Sequence, residues 1–143
     1  MNIVWQLKPE ERLKEWRNFR QEISTKSIDD ILHEVIDWWK YTPIASRVLD
    51  VYNSDTWPDP WELLYDGNFD ESAISLGIAY TLHLMDNPCE ILFVQNHKKS
   101  FLGLIVLVDE KFILNYNYDK IDNVNILEDC EILGRWNTEY FVK

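Results

Sequence analysis

The apolar residues of this chain change period once, near Pro88, and that change sets the order in which its secondary structure is laid down. Before it, large side chains return every three or four positions, as on one face of a helix: Leu13, Trp16, Phe19 and Ile23, then Ile31, Leu32, Val35, Ile36 and Trp39. After it they come in short runs, Glu90 to Gln95, Phe101 to Val108 and Phe112 to Tyr118, separated by polar turns. Helices followed by hairpin-linked strands give an α+β fold. The expected architecture is a set of N-terminal helices and a buried central helix packed on an antiparallel sheet of about 3 to 5 strands. At 143 residues the chain has the size of one domain, helical over 1–86 and sheet-forming over 89–143.

Local signals place the elements. Pro9-Glu10-Glu11 reads as a helix start, with proline at the first position and acids facing the positive end of the dipole, and this helix should run to about Ser24. Ser27 with Asp30 three residues on is a capping pair for a second helix ending near Tyr41, before Pro43. A short helix is expected between Pro43 and Tyr52, and Pro60 opens a turn or two through Tyr65. Asn68 reads as the cap of the central helix, which carries Ala73, Ile74, Leu76, Ile78, Ala79, Tyr80, Leu82 and Leu84 with little charge. The run Leu104 to Val108 does not alternate, so it should be the central strand with both faces covered. Cys130 to Leu133 and Tyr140 to Val142 are expected to add one or two strands.

A net charge of −11 opposes approach to phosphate backbones, so autonomous nucleic-acid binding is not expected. Cys89 and Cys130 match neither a disulfide framework nor a zinc ribbon, which fits a reducing compartment. The first residues lack a basic start with an apolar run, and no stretch of about 18 apolar residues follows, so no membrane association is expected. His33-Glu34 is half of a zinc-protease signature, with Asp37 where the second histidine is required. Asp66 to Asp70 spaces oxygens as a calcium loop does, but Glu71 stands where glycine must and Gly77 where a bidentate glutamate must. No metal and no cofactor is expected.

The segment Asn68-Phe69-Asp70-Glu71-Ser72-Ala73, the apolar helix after it and the hairpin Gly103 to Val108 and Phe112 to Asn115 resemble the transglutaminase-like thiol enzymes, over Asp66 to Asn115. In that family a cysteine begins the buried helix, a histidine opens a strand and an aspartate lies on the next. The helix end lowers the thiol's pKa, the histidine takes its proton, and the carboxylate orients the ring. Carried over by position, the cysteine falls on Phe69, the histidine on Gly103 or Leu102 and the aspartate on Asn115, none of which can do that chemistry. The texture of Trp57-Pro58-Asp59-Pro60-Trp61 and Lys111 to Tyr116 is also similar to that of small proteins of tailed bacteriophages. The resemblance thus implies a pseudoenzyme: a non-catalytic protein-interaction or virion assembly protein, in the host cytoplasm or the virion. Its protein partner would be gripped by Trp57, Trp61, Trp38, Trp39 and Tyr65, since Trp and Tyr dominate binding hot spots. One alternative is a divergent cysteine hydrolase or transferase with a displaced nucleophile, Cys89 or Ser72, brought to His83 or His97. Another is an acidic inhibitor of a basic host protein.

Overall fold

A computed structural model describes residues 4–43, 49–67, 70–117 and 120–142. Helix α1 (Pro9–Ile23) begins at its proline, and α2 (Ile28–Trp39) is capped by Ser27, whose hydroxyl accepts from the Asp30 N–H at 3.3 Å. Helix α3 (Pro60–Asp66) is closed at its start by a reciprocal pair: the Asp59 carboxylate accepts from the Glu62 N–H, and the Glu62 carboxylate accepts from the Asp59 N–H. It ends at Gly67, whose φ of +69° suits a residue without Cβ.

Helix α4 (Glu71–His83) is the central helix, and its residues from Ala73 to Leu82 are all buried. Its cap is Asp70, not Asn68: the Asp70 Oδ1 accepts from the Ala73 N–H at 2.9 Å, while Oδ2 accepts from the Leu49 N–H at 2.9 Å. Asn68 lies outside the described residues, as does the middle of the helix expected over Pro43 to Tyr52, and Leu49 to Tyr52 are not helical.

The sheet is antiparallel and ordered β4-β3-β2-β1-β5, with β1 (Cys89–Asn96), β2 (Phe101–Val108), β3 (Phe112–Leu114), β4 (Ile121–Asn123) and β5 (Glu131–Asn137). The α+β class is therefore as expected, and β2 is the central strand. Its residues divide between two cores: Leu104, Val106 and Val108 join the main core under α4, while Ile105 and Leu107 face a smaller one with Leu92, Val94, Ile113 and Tyr116. The 3₁₀ segment Val124–Asp129, which the sequence signals did not mark, packs Val124, Ile126 and Leu127 on that second face. Strand β3 stops earlier than expected because Asn115 turns to φ +65°, a conformation asparagine tolerates better than most residues. The C-terminal strand expected at Tyr140 is instead a single helical turn, α5 (Thr138–Phe141), because the Asn137 side chain accepts from the Glu139 N–H and caps a helix.

Two helix contacts fix the depth at which α4 sits. Trp16 of α1 and Trp39 of α2 both donate their indole N–H to the Thr81 hydroxyl, each at 3.0 Å, and that hydroxyl donates to the Gly77 carbonyl at 2.7 Å. Gly77 lies directly under the Trp39 ring, where no side chain would fit. On the other side, the Ser75 hydroxyl donates to the Leu104 carbonyl of β2 at 2.7 Å. No helix among the described residues is long and apolar enough to cross a membrane.

Candidate active site

The N-terminal end of α4, the first residues of β2 and the turn after β3 enclose a cleft of about 400 Å³. Its polar groups include Glu71, Ser72, Asn115, Lys40 and Lys120, and its apolar wall includes Trp39. The helix end carries partial positive charge, and Ser72 places a hydroxyl in the first turn. Gly103 faces this hydroxyl: a Cβ added there would make ordinary contact with the Phe101 ring at 3.6 Å and with Ser72 Oγ at 4.0 Å. Asn115 closes the third side. Its amide donates to Ser75 Oγ at 2.7 Å and to the Glu71 carbonyl at 3.1 Å, so it ties the sheet to the first turns of α4. The fold thus gathers Gly103 and Asn115 at the head of α4, whereas Phe69 lies outside the described residues.

The residues considered as displaced catalysts separate. Cys89 is buried, and desolvation pushes its thiol up to about 12, with the Thr138 hydrogen bond opposing and the Glu90 charge adding to the rise. His83 Nδ1 lies 3.1 Å from the Thr138 hydroxyl, which also accepts from the Cys89 N–H at 3.0 Å. Thiol, hydroxyl and imidazole therefore meet, but Thr138 is fully buried and spent on joining α5 to α4 and β1. His97 is exposed, 3.8 Å from Glu131, and neither histidine lines the cleft. Cys130 is also raised by burial, and its thiol donates to the Ile126 carbonyl at 3.5 Å. Only Ser72, of the nucleophiles considered, lies in the cleft.

The aromatic set divides as well. Trp38, Trp39 and Trp57 are buried and supply packing area, with Trp39 also backing the apolar wall of the cleft. Trp57 donates its indole N–H to the Asp50 carbonyl at 2.7 Å and meets Trp136 edge-on at 4.8 Å, clamping the proline-stiffened loop to the core. Trp61 and Tyr65 are exposed, at 48% and 50%. Lys40 and Lys120 gave no sequence signal as site residues, because isolated lysines carry no spacing pattern; folding alone brings them to one cleft.

The same arrangement of elements recurs in solved structures of Legionella pneumophila LapG. The calcium-bound form matches with a TM-score of 0.73 over 93% of this chain and 78% of that one, at 17% identity. A second LapG structure matches at 0.71 over 95% of this chain and 79% of that one, and the EGTA-treated form at 0.71 over 95% and 78%, both at 16% identity. LapG has a transglutaminase-like fold, and at this identity the likeness shows that this chain shares the fold of LapG. No family model matches the chain, and no curated protein matches it.

This finding corrects the expectation of a non-catalytic phage protein and of a pseudoenzyme: the frame is shared with an active protease, and nothing found points to a phage source or to degeneracy. The physical reason is that the cleft, the Ser72 hydroxyl and the helix end that polarises it are all present at the head of α4. Among the described residues no group of three or more His, Cys, Asp or Glu side chains is gathered to hold a metal ion.

Proposed function

We propose that the chain is an enzyme of the hydrolase or acyl-transfer type that seats a polypeptide segment in the cleft at the head of α4. The observation that carries this reading is the position of the cleft: it opens at the N-terminal end of a buried helix, between the strand and turn positions that hold the catalytic groups of transglutaminase-like enzymes. A carbonyl placed there meets the Ser72 hydroxyl and the positive end of α4, which favours the negative charge that develops on the carbonyl oxygen during attack. The hydroxyl oxygen bonds to the carbonyl carbon as the carbonyl π pair moves to oxygen, and the hydroxyl proton passes to the Glu71 carboxylate. Collapse of the adduct expels the amine with that proton, leaving an acyl-Ser72 ester that water or a second amine cleaves to restore the hydroxyl. The Asn115 bridge holds the head of α4 against the sheet while this happens.

The test is to incubate the purified protein with unfolded casein and with a synthetic peptide mixture, and to search by mass spectrometry for new termini or acyl adducts. Ser72→Ala should reduce the rate by roughly 10³-fold or more, and Gly103→Trp should abolish it by filling the cleft, with circular dichroism confirming the fold of each. The reading fails if the wild type shows no turnover, or if turnover survives both substitutions.

A further inference from the structure

A second groove, of about 670 Å³, runs between α1 and the turn that follows α4. Lys14, Arg17 and Arg20 line it from α1, Trp61 from α3, and Met85 and Asp86 from the turn. We propose that this groove binds an acidic polypeptide segment carrying an aromatic or aliphatic anchor residue.

Charge complementarity selects the occupant. In a chain with 25 acids and 14 bases, this groove brings three cations together against one carboxylate, Asp86. At about 100° per residue, Lys14, Arg17 and Arg20 fall on one side of α1 with Glu10 one turn before Lys14, while Glu11, Glu15 and Glu22 fall on the other. None of the three cations forms an ion pair among the described residues. Arg20 is the least satisfied of them. Its guanidinium lies 4.3 Å from the centre of the Trp16 ring, and its Nε is buried with no hydrogen-bond acceptor among the described residues. Burial first, and then the Arg17 charge, works against its cationic form. A carboxylate in the groove supplies the counter-charge that Arg17 and Arg20 lack.

The apolar half of the site is Trp61. It packs edge-on against Trp16 at 5.8 Å, yet leaves 48% of its surface open beside Met85. A ring or branched aliphatic side chain laid there covers apolar surface that the fold leaves wet. The groove lies at the opposite end of α4 from the cleft, about 18 Å along the helix axis from Ser72 to Leu84. Binding here therefore stands or falls separately from catalysis there.

Selection of a display library of random short peptides on the purified protein tests this. Bound peptides should be enriched in Asp and Glu beside an aromatic or aliphatic residue, and binding should weaken with added salt. The double variant Lys14→Glu/Arg17→Glu should weaken it by at least about tenfold, and Trp61→Ala by about tenfold; both sites are exposed, so both variants should fold. Selected peptides with no more acid than the input, or equal binding to the charge-reversed variant, would overturn the proposal. So would tighter binding of an oligothymidylate than of any selected peptide, since that result assigns the groove to phosphate backbones.

Discussion

Gly77→Ala should destabilise the protein, although helix propensity alone says the reverse. Alanine in a helix interior is favoured over glycine by about 1 kcal/mol, so an isolated α4 would gain. In the folded chain the new Cβ would lie 2.3, 2.4 and 2.6 Å from Cη2, Cζ3 and Cζ2 of Trp39, roughly 1 Å inside an ordinary carbon contact of about 3.5 Å. The ring has nowhere to go. It is fully buried, its indole N–H is bonded to Thr81, and Trp5 and Trp38 stand at 5.2 Å on either account. Overpacking of this severity costs about 3 kcal/mol, and loss of the Thr81 bond adds about 1 kcal/mol. Against the gain of about 1 kcal/mol, the net loss is about 3 kcal/mol. For a chain of 143 residues this lowers Tm by roughly 10 °C, at about 3 °C per kcal/mol. Urea unfolding should show a lower midpoint with an unchanged slope. In a Trp39→Phe background, where the colliding atoms are absent, Gly77→Ala should cost at least about 1 kcal/mol less. Equal or greater stability of the single variant would refute the close approach of α2 and α4. Because Trp39 also lines the cleft, the variant should alter whatever the cleft does.

Arg12→Met should cost about 3 kcal/mol in thermal or urea unfolding. The guanidinium donates to the carbonyls of Leu64 at 2.8 Å, Tyr65 at 3.0 Å and Leu7 at 2.9 Å, and methionine would leave all three without a donor; a loss under about 0.5 kcal/mol would contradict this role. Cys89 should resist thiol reagents in the native state at about pH 8 and react on unfolding, since the thiolate is the reactive form. The same shift sets a pH dependence. Unfolded, the thiol ionises near its ordinary value of 9.0; folded, it holds its proton to about 12, so the native state binds more protons between these values. Stability contributed by the neutral buried thiol is therefore full below about pH 9 and lost as pH rises toward about 12. Urea midpoints should fall over that window, and Cys89→Ala should flatten the fall; rapid alkylation of native Cys89 would show that the site is open.

The local signals that survived folding are those whose physics is complete within a few residues. Ser27 with Asp30 and Pro60 at a helix start satisfy backbone N–H groups or preset φ without reference to the rest of the chain, so both starts were legible. The two-sided burial of β2 was legible because a run of apolar residues without alternation cannot leave a face in water. Asp70 took the cap expected of Asn68 because its second oxygen also holds the Leu49 N–H, a partner 21 residues away that no local rule counts.

The sequence by itself determined the order of helices and strands, the placement of the central helix and strand, and which family's frame the chain resembles. Tertiary structure decided what the side chains are for. Trp38, Trp39 and Trp57 went inside while Trp61 and Tyr65 stayed at the surface, because burial depends on which helix faces meet, and those meetings join distant parts of the chain. It also decided that Ser72, Gly103 and Asn115 border one cleft while Cys89 and His83 are sealed away from it. Whether a site exists there is decided by packing, which keeps the head of α4 open beside the start of β2 and the turn after β3.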